Sequence, residues 1–162
     1  MSPNLRNATF GLIFATAALF MTSVSAQTVT DPLAGTWELN VPASKFGPAS
    51  PPKSQTRIYE VVGQQEKMTG RGIDAQGRPT LIQFTLNRDG KDYPYEGAPG
   101  IDTIALTQLD TFTANYTAKK AGAVALTGTR VVSKDGKVMT ISGKGAGGTA
   151  EIPETLLVFD RR

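Results

Sequence analysis

Thr80-Leu81-Ile82-Gln83-Phe84-Thr85-Leu86-Asn87-Arg88-Asp89-Gly90-Lys91-Asp92-Tyr93-Pro94-Tyr95 carries the pattern that decides the fold. Ile82, Phe84 and Leu86 recur at every second position, the period of a strand with one buried face and not of a helix. Asp89-Gly90 is a tight-turn dipeptide, and Tyr93 and Tyr95 resume the alternation beyond it. One antiparallel hairpin is therefore written into sixteen residues.

The same pattern extends outward in both directions from Ala34 to the C-terminus, with Gly, Asp-Gly or Pro breaking it at short intervals. Strands are predicted at Gly35–Asn40, Gln55–Val62, Lys67–Ile73, Thr80–Asn87, Lys91–Tyr95, Thr103–Leu109, Thr111–Lys119, Ala123–Ser133, Lys137–Ser142 and Thr155–Asp160. Pro94 weakens the fifth, because proline removes a ladder donor. Asp135-Gly136, Gln76-Gly77 and Gly122 supply further turns. Sequential hairpins without helices predict an all-β, antiparallel up-and-down barrel of about 8–10 strands, with a two-layer sandwich as the rival.

Ahead of this domain, residues 1–26 have another composition: Arg6 is their sole charge, Phe10 to Phe20 is nearly all apolar, and Val24-Ser25-Ala26 offers small residues before Gln27. That three-part order reads as a signal peptide, leaving a mature domain of residues 27–162 in the periplasm or secreted. The apolar run is about half the roughly 20 residues that a membrane span requires. A cleaved chain would keep no transmembrane anchor.

Among 162 residues there is no Cys and no His, which excludes disulfides, Cys or His zinc sites and any triad with a histidine base. The net charge is only +3, with basic residues scattered. Nucleic-acid binding wants a clustered basic stripe, so none is expected. Neither a metal nor a cofactor is called for. Asp102, Asp110, Glu151 and Glu154 are candidates for a catalytic carboxylate pair, but spacing across separate turns fixes no distance between them. Gly143 to Pro153 is glycine-rich without the context of a phosphate cradle, and reads as a link into the last strand.

Alternation assigns an inner face to Trp37 and Leu39; to Ile104 and Leu106; to Phe112 and Tyr116; to Val124, Leu126 and Val132; and to Met139 and Ile141. Arg130 shares the parity of Val124, Leu126 and Val132. A charge on an apolar face is costly unless paired or hydrated. Either Arg130 anchors an acidic ligand, or it pairs with a buried Glu or reaches water at the strand end. A two-residue Asp89-Gly90 loop would set Tyr93 and Tyr95 opposite Leu86 and Phe84, so that Tyr93, Tyr95 and Tyr116 line the interior. A bulged turn would shift that register. Arg57 and Tyr59 share a face, but Thr56, Ile58 and Val62 on the other face compete for the core, and their orientation stays open.

Asp31-Pro32-Leu33-Ala34-Gly35-Thr36-Trp37-Glu38-Leu39-Asn40, followed by a β meander and Leu156-Leu157-Val158-Phe159-Asp160, resembles the calycin group of lipocalins and fatty-acid-binding proteins, and especially small exported bacterial lipocalin-like proteins. The resemblance implies that Trp37 closes the barrel base beneath a basic residue at the end of the last strand, Arg161 or Arg162. It also implies an apolar interior for small hydrophobic molecules. The group's Thr-Asp-x-x-Tyr element, its disulfide and its Arg-x-Tyr pair near the chain end are absent.

Together these readings predict an exported, monomeric, non-catalytic protein that holds a small apolar or amphipathic molecule, with Arg130, Tyr93, Tyr95, Tyr116 and Phe84 at the ligand and Trp37 at the base. The alternative is a solid-core interaction or protease-inhibitor-like module acting through its loops. Val41 to Ser54, with Pro42, Pro48, Pro51 and Pro52, would be either a lid or a loop with Phe46 tucked into the core.

Overall fold

In the computed structural model, residues 30–47, 49–145 and 155–162 are described, and residues 1–26, whose sequence reads as a signal peptide, lie outside them. Ten strands succeed one another: β1 (Gly35–Leu39), β2 (Ser54–Val62), β3 (Gln65–Ile73), β4 (Pro79–Asn87), β5 (Asp89–Glu96), β6 (Thr103–Gln108), β7 (Thr113–Lys120), β8 (Ala123–Val132), β9 (Val138–Gly145) and β10 (Thr155–Arg161). Each pairs antiparallel with its neighbour in sequence, and β1 also pairs with β10, closing the sheet into an up-and-down barrel. Closure excludes the two-layer sandwich and leaves no free edge.

The turn chemistry is what the glycines foretell. Between β7 and β8, Ala121 and Gly122 both take positive φ, 49° and 79°, the pair that a tight hairpin with the natural strand twist requires. Pro94 is accommodated because β4 and β5 pair only at Gln83 with Glu96 and Phe84 with Tyr95. The Tyr95 N–H donates to the Asp102 carbonyl at 2.8 Å, on the β6 side. The donor that Pro94 lacks would therefore have faced β4, where the ladder is sparse.

Trp37, Met68, Leu86, Leu106, Met139 and Phe159 are the large apolar side chains buried most completely. They come from six different strands, which is how a closed meander gathers one core from alternating positions. One inward assignment changes, and one left open is decided. Val124 is 40% exposed, because the β7–β8 register slips between Ala118 paired with Leu126 and Lys119 paired with Val124. Such a bulge turns the residues beyond it to the other face. On β2, Arg57 and Tyr59 face inward, and Ile58 and Val62 are exposed.

Val41 to Ser54 is fastened along the last strand. β1 covers only the later part of β10, so the earlier part would present open backbone groups. Lys45 exchanges hydrogen bonds with Leu156 at 2.7 and 2.9 Å, and the Val158 N–H donates to Ser44 Oγ at 2.9 Å. Phe46 packs against the core. No described residue between Val41 and Lys53 lines the interior cavity, so the tucked-loop expectation fits this stretch better than the lid.

Candidate functional site

At the end where β1 begins and β10 finishes, Trp37 is fully buried and its Nε1 donates to the Leu33 carbonyl at 2.8 Å. Arg161, its cross-strand partner, places its guanidinium carbon 4.2 Å from the Trp37 ring centroid and donates to the carbonyls of Pro32, Ala34 and Gly136. Of the two candidate basic residues, Arg161 therefore covers Trp37. Arg162 pairs outside with Glu38.

A polar cluster lies on this same half of the barrel. Glu66, with no accessible surface, accepts from both terminal nitrogens of Arg130 at 2.5 and 2.8 Å. It also accepts from Arg88 Nε at 2.9 Å, and Arg88 Nη1 reaches Asp31 Oδ2 at 2.6 Å. Two acids and two bases thus form one neutral chain linking the segment before β1 to β3, to β8 and to the residue between β4 and β5. Burial opposes the Arg130 charge, but Glu66 outweighs it and holds the Arg130 pKa above its ordinary value. For Asp31, burial is likewise opposed by the bonds from Arg88 and the Leu33 N–H, and its carboxyl is held below the usual range.

Above this cluster the barrel holds a cavity of about 210 Å³, with Phe84, Tyr95, Ile104, Leu126, Ile141 and Leu157 in its wall. Phe84 and Tyr95 are cross-strand partners with ring centroids 5.8 Å apart. Tyr116 donates to the Ser142 carbonyl at 2.9 Å, and burial pushes its pKa up to about 12. Burial also raises Tyr95, with Arg57 opposing. Both phenols are therefore neutral across the physiological range.

Of the five residues expected at the ligand, Phe84, Tyr95, Tyr116 and Arg130 line this cavity, and Tyr93 does not. The Tyr93 ring packs against the core, but its hydroxyl lies 3.1 Å from Asp89 and accepts from Asn87 at 3.2 Å. The β4–β5 register is the one that a two-residue Asp89-Gly90 loop sets, with Tyr95 opposite Phe84, so Tyr93 keeps the core side but lies two residues nearer the turn, where its hydroxyl meets Asp89 and Asn87 instead of the cavity. Arg130 lines the wall, yet its fork is taken by Glu66.

The wall also contains Arg57, which alternation left undecided. It has no salt-bridge partner among the described residues; its Nε donates to Gln55 Oε1 at 3.1 Å, and its guanidinium carbon lies 4.8 Å from the Phe159 ring centroid. Burial works against its charge, but the hydroxyls of Tyr59, Tyr95 and Tyr116 outweigh burial and leave its pKa raised. Tyr59 lies between the two arginines, with the Arg130 guanidinium 5.4 Å from its ring centroid. The parity of Arg57 with buried Tyr59 was the available signal.

Asp102 and Asp110, the two candidate carboxylates among the described residues, do not converge. Asp102 binds Lys120 at one end of β6 and Asp110 caps the turn at the other, roughly 20 Å apart for a strand of that length. Bonds from Lys120 and the Ala121 N–H hold the Asp102 carboxyl low, and the Phe112 N–H does so for Asp110. Neither is tuned as a general acid. Glu151 and Glu154 lie outside the described residues.

No family model matches the chain, and no curated protein does. Among solved structures, a redesigned β-barrel, mFAP1, bound to DFHBI, is similar over 81% of this chain and 95% of its own, with 15% identity and a TM-score of 0.39.

Proposed function

We propose that this protein is an exported, lipocalin-like, monomeric binding protein that holds a small apolar or amphipathic molecule inside its barrel and performs no catalysis on it. The observation that carries this reading is the unfilled interior. A cavity of about 210 Å³ is walled by aromatic and branched side chains, with a few polar groups directed into it, the composition typical of small-molecule sites. An engineered apolar cavity of about 150 Å³ already takes up benzene. A solid-core interaction module would need no such space.

The test is saturation-transfer NMR with indole, together with Ala118→Leu. Ala118 is buried on the cavity wall, so added methyl groups take up the space. Indole should show transfer with the protein and lose it in the variant. Absence of transfer at millimolar indole would favour the interaction module. For export, mass spectrometry of protein from the host envelope should find Gln27 as the first residue, and an intact Met1 in a membrane fraction would overturn the assignment.

A further inference from the structure

Arg57 is the charge on the cavity wall that no described residue neutralises. At the floor, Glu66 and Asp31 balance Arg88 and Arg130 through contacts of 2.5 to 2.9 Å. Arg57 donates its Nε to a neutral amide, that of Gln55, and its guanidinium also bonds with the Tyr59 hydroxyl, so neither contact supplies a counter-charge. No carboxylate among the described residues lines the cavity. Holding a cation beside apolar walls without a counter-ion costs stability. A methionine would pack against Phe159 in the same place without that cost.

We infer that Arg57 is the receptor for the acidic group of the cavity's ligand, and that this ligand is a compact monoanion, a single-ring or short branched carboxylate. The inference rests on the proposed binding function and names its substrate class. Among the described residues the floor is neutral and the wall keeps one positive charge, which one negative charge on the ligand would balance. The Arg57 fork, held by no carboxylate among the described residues, matches the two oxygens of a carboxylate. Tyr59 and Tyr95 place phenol groups on the same wall. Volume fixes the size: about 210 Å³ is modestly more than a benzene-sized cavity of about 150 Å³ and far short of a long acyl chain.

Calorimetric titration of the protein with 4-methylbenzoate, 4-methylbenzyl alcohol and palmitate tests each part. The benzoate should bind about tenfold or more tighter than the alcohol, the margin for hydrogen bonds to a charged group. Arg57→Met should abolish that preference by weakening the acid far more than the alcohol, and keep or raise the thermal midpoint of the ligand-free protein. Equal binding of acid and alcohol, or an equal loss of both in Arg57→Met, overturns the inference while the binding function stands. Binding of none of the three overturns both. Palmitate binding tighter than the benzoate overturns the size class. Should Arg57→Met not fold, Arg57→Lys decides, because it keeps the charge and loses the fork: acid binding should fall several-fold more than alcohol binding, and unaltered acid binding refutes the assignment.

Discussion

Glu66 accepts from two arginines at once, so removing its charge strands both. Glu66→Gln would leave Arg88 and Arg130 facing a neutral amide in a site without accessible surface. We expect a loss of about 3–5 kcal/mol, measured as a lower urea midpoint at unchanged slope. The double substitution Glu66→Met with Arg130→Met should recover much of it, since the pair leaves together and Arg88 keeps Asp31. A double variant no better than Glu66→Gln would mean that packing, not charge, sets the cost. The sequence marked Arg130 as anomalous through its parity with Val132, but not its partner, because the strand read from Lys67 onward omitted Glu66. Arg57 stayed hidden for a related reason. Ile58 and Val62 are as hydrophobic as a core face, and local hydrophobicity cannot tell which face a strand gives to a barrel interior lined with arginine and tyrosine.

Three adjacent strands cooperate around one phenol. Tyr116 leaves β7, leans across Gly128 of β8 and bonds to Ser142 of β9. A methyl group on Gly128 would collide with the Ser142 carbonyl and lie 2.5 Å from Tyr116 Oη; one on Gly143 would lie 2.8 Å from that oxygen. Gly128→Ala should therefore displace the ring, and alkaline absorbance titration detects this. In the native protein the Tyr116 pKa, raised from 10.0 to about 12, gives a late step. Its folded-state value lies above the unfolded one, so the stabilisation is complete below pH 10 and is lost as pH rises through about 12. Gly128→Ala should move that step toward 10, and Tyr116→Phe should delete it. A late step unchanged in both would assign it to Tyr95. All ten strands were legible, because turn glycines and period-two alternation are local. The bulge near Val124 was not, since a one-residue register slip is decided between strands and leaves no mark on either alone.

The two ends of the barrel are built on different principles, and this shapes how the molecule should fail. One end is sealed by Trp37 under Arg161 and by the charge chain from Asp31 to Arg130; the other opens on a cavity. Trp37→Ala should cost about 3–5 kcal/mol through the cavity it leaves, and more than an equivalent truncation on the wall at Leu157, which already borders empty space. Equal losses would mean that the base is not the stabilising end. Acid should loosen the same end, because Asp31 ties the segment before β1 to Arg88 and to the Leu33 N–H. Its folded-state pKa lies below 3.8 despite burial, since those bonds outweigh it. The stabilisation is therefore fully present above pH 3.8 and disappears as pH falls through the folded value. At neutral pH, Asp31→Asn should lower stability by about 1.5–3 kcal/mol, the range for a hydrogen bond to a charged group. Below the folded-state pKa of Asp31 the variant and the native protein should converge, with hydrogen exchange at Trp37 Nε1 rising in both. A gap that persisted at low pH would mean that Asp31 holds the base through shape instead of charge.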